Sequence, residues 1–299
     1  MKYDLVIAHR VCPALAKVSV GFADKKTMVE ATTSSLAAAL EDLRVRLVVI
    51  LDGCEDYLDI FERAFGHAKN IDLEIVYTDS IGNQKTWEKQ LEILSSVNDS
   101  EFVYFSEDDY IYTPNAFRAM LDFAKGHDVD FVTPLDHPDR YNGKLVHDAP
   151  AVVRISQFCH WRSVDSTCLT FLAKQKVVAA SRRIMESYIY STEEATMWHG
   201  LTKFEVFNFS KLLRAAFLYF VLRKKCRFGD IMGLCTWKRQ GLKLLTNPRR
   251  HLYSPISTLA VHLANCSLPL GSSHILGGMV SDKDIRKIDE FERAGLKRS

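Results

Sequence analysis

The sequence predicts an α/β protein built on a mostly parallel sheet with flanking helices. Three observations predict it. Through residue 135, short apolar runs alternate with helical patterns. Those runs are apolar at nearly every position, as in strands covered on both faces, rather than at every second one. The segments between them are long enough for right-handed crossovers between parallel neighbours.

In chain order, the strand-type runs are LVIA (5–8), RLVVIL (46–51), LEIVY (73–77), EFVYF (101–105) and DFVTP (130–134). Helices are expected at 32–43, at 55–66 ending on Gly66, at 83–97 and at 113–126. In the last, Thr113 reads as the N-cap, Pro114 as the first helical residue, where its missing N–H costs nothing, and Gly126 as the stop. After 135, the polar loop LDHPDRYNGKLVHDAP leads to two short β-type stretches, AVVRISQF and STCLTFLA. A helix at 173–188 follows, then another opening at YSTEEATMWHGL. Residues 211–225, KLLRAAFLYFVLRKK, hold an eight-residue apolar block (215–222) between basic flanks. Spanning a bilayer takes about 20 residues, so the block is either a buried helix or an interfacial one whose cations meet lipid phosphates. The closing SDKDIRKIDEFERAGLKRS reads as a polar helix stopped by Gly295.

Composition narrows the function. With 299 residues, 47% hydrophobic and 25% charged, the chain matches a globular protein with a sizeable core, which excludes disordered, collagen-like and membrane-spanning classes. The start MKYDLVIAHRV lacks the layout and cleavage site of a secretory signal, so a cytoplasmic location is expected. Seven cysteines, an odd number with no CxxC pair, point to reduced thiols rather than a disulfide framework or structural zinc. The formal charge is +2, yet residues 203–250 carry twelve Lys/Arg against Glu205 and Asp230, a net of +10 that leaves −8 for the rest. That segment is the candidate for an anionic partner, such as a membrane surface.

Ligands of open parallel sheets bind beyond the carboxyl ends of the strands. There stand His9 and Arg10; Asp52, Gly53 and Asp56; Thr78, Asp79, Gly82, Asn83 and Lys85; and Glu107, Asp108 and Asp109. The last set is the strongest signal, because FVYFSEDDYIYTPNAF runs a buried strand straight into three consecutive carboxylates. A divalent cation relieves their repulsion, and Mg²⁺ or Mn²⁺ takes oxygen ligands, commonly one or two carboxylates plus substrate phosphates. A solvated turn whose acids cap the next helix is the alternative.

With that triplet the sequence resembles the family 2 type of glycosyltransferase with the GT-A fold, in which a DxD-like motif ends the fourth strand and holds the metal of a sugar nucleotide. VVILDGCED (48–56), IGNQKTWEKQLEIL (81–94), VTPLDHPDRY (132–141), HWRSVDSTCLTF (160–171) and SPISTLAVHL (254–263) extend the resemblance over roughly residues 3–265. It implies a Rossmann-like, GT-A-type sheet with a C-terminal acceptor-side helical region. On that reading 1–135 is the nucleotide-sugar-binding half, 136–265 the acceptor-binding and catalytic half, and 266–299 an extension. It also implies a metal-dependent transfer from a nucleotide sugar, a UDP-sugar favoured, to a glycan or lipid-linked acceptor, as in bacterial surface polysaccharide synthesis.

Carried over by position, Asp52 would bind the base or ribose, Arg10 and Lys85 would lie near the nucleotide, and Asp108 would contact ribose or donor sugar. Glu107, Asp109 and the late His262 would hold Mn²⁺ or Mg²⁺. The family's xED motif falls on Thr192, Glu193 and Glu194, which makes Glu194 the general base, with Asp136 and Asp165 as competitors. Trp161 and Arg162 would offer a ring and a cation to the acceptor. The chain departs from the family in having Glu at the motif's first acid and a single Asp in the second-strand segment.

Other classes are set aside by what is missing. HRVCPA stands where a dinucleotide enzyme needs GxGxxG, and no GxxxxGK[ST] occurs. The basic segment matches no nucleic-acid motif, so no nucleic-acid partner is expected. Two alternatives remain: a noncatalytic carbohydrate- or membrane-surface-binding protein on the same fold, and a metal-dependent nucleotidyltransferase, which would release pyrophosphate from an NTP.

Overall fold

The computed structural model describes residues 1–14, 22, 24–137, 140–141, 151–191, 193–217, 228–263, 268–269 and 271–277. Its strands are β1 (Leu5–Val11), β2 (Val45–Asp52), β3 (Ile71–Thr78), β4 (Phe102–Glu107), β5 (Tyr110–Tyr112), β6 (Phe131–Val132), β7 (Val153–Ile155), β8 (His160–Val164), β9 (Phe171–Lys174), β10 (Leu252–Ile256) and β11 (Ala260–His262). Its helices are α1 (Lys25–Ala39), α2 (Leu58–Phe65), α3 (Asn83–Ser95), α4 (Ala116–Gly126), α5 (Gln175–Met185), α6 (Glu194–Thr202), α7 (Phe209–Ala216), α8 (Phe228–Gln240), α9 (Lys243–Thr246) and α10 (Ser272–Leu276).

Nine strands form one sheet in the order β3-β2-β1-β4-β9-β6-β10-β8-β7. The first four pair in parallel, and only β9 and β8 run against the rest. This is the mixed α/β architecture expected, a largely parallel sheet with helices on both faces. β5 and β11 form a separate antiparallel pair. The sheet is continuous across residue 135, because β6, β9 and β10 extend the surface begun by β1–β4.

Strand alternation explains the cores on the two faces of the nine-stranded sheet. In β1, Leu5 and Ile7 join one apolar cluster and Val6 and Ala8 the other. The first cluster seals α1, α2 and α4 through Val29, Phe61 and Phe117. The second seals α3, α5 and α6 through Trp87, Val178 and Trp198. Burial on both faces is why β1 and β2 read as unbroken apolar runs, whereas the edge strand β3 alternates and exposes Glu74 and Tyr77.

Several local expectations are corrected. α1 starts at Lys25 instead of residue 32, capped by Asp24, whose carboxylate accepts from the Thr27 N–H at 2.8 Å. Thr113 is not the cap of α4: its hydroxyl bonds Leu259 O, the helix begins after Asn115, and Gly126 lies inside it. β8 was not expected as a strand, because its charged and polar residues mask the pairing that β10 imposes. The 55–66 helix opens as a 3₁₀ turn at Glu55–Tyr57. Cys12, Cys54, Cys159, Cys168 and Cys235 carry free thiols. Thr192, Pro138, Asp139, Cys226, Cys266, residues 218–222 of the apolar block and the C-terminal helix with its Gly295 stop lie outside the described residues. Among the described residues, no helix is long and apolar enough to cross a membrane.

Candidate active site

Register builds the site. In the parallel pair β1–β4, Arg10 sits opposite Glu107 and His9 opposite Ser106. Neighbouring positions in parallel strands share a face, so Arg10 Nη2 donates to Glu107 Oε1 at 2.5 Å, while His9 Nδ1 meets Ser106 Oγ at 2.8 Å on the other face. Arg10 Nη1 also donates to Asn83 Oδ1 and O at the start of α3, and Asn83 Nδ2 donates to Tyr188 Oη at 2.9 Å. Thr170 donates to Glu107 Oε2 at 3.0 Å. Each Glu107 oxygen thus already accepts one hydrogen bond, and Glu107 orders Arg10.

The turn after β4 sends its two aspartates apart. Asp108 is buried; Lys25 Nζ donates to one oxygen at 2.7 Å and the Cys12 N–H to the other at 2.9 Å. A lysine in the first turn of a helix opposes the helix dipole, and a buried ammonium is costly, so Asp108 is what makes Lys25 tolerable there. Burial raises the Asp108 pKa, Lys25 works against that rise, and the charge of Asp109 adds to it. Asp108 thus ties α1 to the end of β1, whereas the resemblance implies a contact with ribose or donor sugar. Sequence reasoning missed Lys25, since nothing in DKKTM marks one lysine as buried.

Asp109 points the other way. Pairing of β11 with β5 sets His262 opposite Tyr110, stacks the two rings at 4.6 Å, and brings His262 Nε2 within 3.0 Å of Asp109 Oδ2. Asp109 Oδ1 is buried and has no partner among the described residues. Burial works to lower the His262 pKa, but Asp109 overrides it and holds the imidazole well above its ordinary value. Burial likewise works to raise Asp109, and His262 brings it below the usual carboxylate range. An orphaned carboxylate oxygen beside an imidazole nitrogen suits a divalent cation that draws its remaining ligands from phosphate and water. Among the described residues no set of three His, Cys, Asp or Glu side chains gathers for a metal.

Glu194 opens α6, where the helix dipole favours a carboxylate. Burial outweighs that, and with Glu107 close by, its pKa is pushed up to about 7. The charges of His262, Arg10 and Asp109 also act on it, so these side chains lie within electrostatic reach of Glu194. Glu193 is turned away into an ion pair with Arg239. Cys168 lies close enough to His262 to add to the rise in its pKa.

The remaining expected residues are not drawn in. Asp52 accepts from Thr78 Oγ1, the Ile81 N–H and the Gly82 N–H at 2.7–2.8 Å, so its carboxylate shapes the turn before α3. That turn packs Ser80 against Gly53, where a Cβ would lie 2.1 Å from the hydroxyl. Lys85 is exposed and pairs with Glu88 one turn along α3. Asp136 accepts from Tyr141 Oη at 2.6 Å and Arg162 Nη2 at 2.5 Å, and burial raises its pKa. Nearby, Arg140 and His199 flank Asp165 at 3.6 and 3.5 Å. These groups form a second, self-paired cluster, which corrects both Asp136 as a free base and Arg162 as a free acceptor cation. Trp161 is fully buried and stacks on Phe123 at 4.6 Å, so it is core and not a sugar platform.

No family profile and no curated protein matches the chain. Among solved structures, S. aureus TarS 1–349 in complex with UDP is 16% identical with a TM-score of 0.43, covering 66% of this chain and 54% of that one. An active-site variant of LgtC is 13% identical with a TM-score of 0.42, covering 97% and 95%. A 4-diphosphocytidyl-2C-methyl-D-erythritol synthase is 12% identical with a TM-score of 0.37, covering 67% and 85%. This chain spans about half the length of that TarS structure. Likeness so distant carries no weight on activity, and the fold stands on its own strand order.

Proposed function

We propose that this chain is a GT-A-type glycosyltransferase that moves a sugar from a nucleotide-sugar donor, a UDP-sugar in first place, to a hydroxyl of a glycan or lipid-linked acceptor. The observation that supports it is that the Arg10–Glu107 and Asp109–His262 pairs, held at and just beyond the carboxyl ends of β1 and β4, act electrostatically on the buried carboxylate of Glu194.

Glu194 acts as general base. The acceptor oxygen bonds to the anomeric carbon and gives its proton to the Glu194 carboxylate; the bond from that carbon to the phosphate oxygen breaks, and its electron pair leaves with the nucleoside diphosphate. A base works best with a pKa near the working pH, and Glu194 stands at about 7. Arg10, fixed by Glu107 and Asn83, supplies a preorganised cation toward the leaving charge. Asp109, joined by His262 once its imidazole gives up a proton, would hold Mn²⁺ or Mg²⁺, which when bound neutralises charge on the diphosphate.

Glu194→Gln is expected to lower kcat by about 10²- to 10⁴-fold while donor binding persists. Wild-type kcat/KM should climb with pH through about 7, and the variant should lose that limb. A Gln variant with wild-type turnover removes Glu194 from the role. Pyrophosphate release from an NTP without sugar transfer replaces the transferase with a nucleotidyltransferase.

A further inference from the structure

Glu194 is the first residue of α6, and among the described residues no side chain hydrogen-bonds its carboxylate. Its direction is therefore set by the first turn of the helix. That turn lacks the usual fastening. The side chain of an N-cap residue commonly accepts from a backbone N–H two or three residues on, and Glu193, the N-cap of α6, makes no such bond.

What holds the turn comes from the last residues of α8. Arg239 Nη1 donates to Glu193 Oε2 and, at 3.2 Å, to Thr196 Oγ1, whose own proton goes to Glu193 O at 2.9 Å. One guanidinium nitrogen thus clasps residues on both sides of Glu194. Gln240 Nε2 donates to Thr196 O at 2.7 Å and to Ser187 Oγ at 3.3 Å. Its amide comes this close because α6 has Gly200 there, where a Cβ would overlap it. α8 is held in turn by Trp237 Nε1, which donates to Val206 O at 2.6 Å. The Arg239 and Glu193 side chains are 28% and 38% exposed, so their ion pair contributes little to the stability of the fold. We propose that Arg239 is a positioning residue for the transfer: by clasping Glu193 and Thr196 against α8, it sets the direction in which Glu194 presents its carboxylate to the acceptor hydroxyl. This role rests on the reading of Glu194 as general base, whereas the clasp itself does not.

Carbon-13 NMR of the glutamate carboxyls tests the clasp without substrate, with Glu194 identified by the peak that Glu194→Gln lacks. Wild type is expected to titrate at about 7. In Arg239→Gln the first turn loosens, water reaches the carboxylate, and the midpoint should fall by about one pH unit or more. Glu193→Gln should do the same although it removes a charge of opposite sign, and the double variant should do no more than either. Glu107, Arg10, Asp109 and His262, whose charges act on Glu194, are untouched in all three. In turnover, Arg239→Gln should lower kcat by about tenfold with donor KM unchanged, and Arg239→Lys, which keeps the pair, should regain most of it. An unchanged Glu194 midpoint or an undiminished kcat in Arg239→Gln overturns the proposal. A wild-type chain that moves no sugar overturns the transferase reading and this role with it, while the midpoint still shows whether the clasp exists.

Discussion

Glu194 sets stability against chemistry. Its folded pKa of about 7 lies above the ordinary 4.5, so its stabilising effect as a neutral acid is complete below about pH 4.5 and is lost as pH rises through 7. Glu194→Gln should therefore leave stability unchanged near pH 4 and raise it by about 1–3 kcal/mol at pH 8. Denaturant titrations at the two pH values check this, and no gain at pH 8 would mean that the carboxylate is well solvated. Lys25 behaves in the opposite sense. Lys25→Met leaves Asp108 buried without its ion pair, at a cost of about 3–5 kcal/mol. Adding Asp108→Asn should recover most of that loss, and an undiminished loss in the double variant would place the damage elsewhere. The acid triplet was legible because three carboxylates after an apolar strand are rare without a reason. Their division of labour was not, since it depends on Lys25 and His262, which reach the turn from distant parts of the chain.

At the scale of elements, continuous apolar runs exposed the parallel strands, and Gly82 with its positive φ marked the start of α3. What local pattern could not show was tertiary: α1 begins where Asp24 caps it, although β-branched Val29, Thr32 and Thr33 weaken its helical signature. β8 is a strand because β10 pairs with it, and its Trp161 looked like a sugar platform for want of any view of Phe123. Trp161→Ala should cost about 3–5 kcal/mol, as buried aromatic truncations do. The milder Trp161→Phe should leave the acceptor KM unchanged, and a KM rise in a variant of near-normal stability would return the ring to the acceptor site. The small β5–β11 pair is a further device of this kind, since it alone brings His262 to Asp109.

For the whole molecule, two cores clamp one sheet and leave its carboxyl edge to polar groups, so cations and acids from β1, β4, α6 and β11 meet without interrupting packing. On the proposed reading, this edge binds a nucleotide-sugar donor through a metal at Asp109. Thermal unfolding with UDP-, GDP-, CMP- and dTDP-sugars, each with Mn²⁺ and with a chelator, tests it most directly in wild type and Asp109→Asn. A ligand at 100 times its Kd stabilises by about 2.7 kcal/mol. The prediction is a shift with one nucleotide class, present only with Mn²⁺ and absent in Asp109→Asn; no shift with any donor, or a metal-dependent shift that Asp109→Asn retains in full, would contradict it.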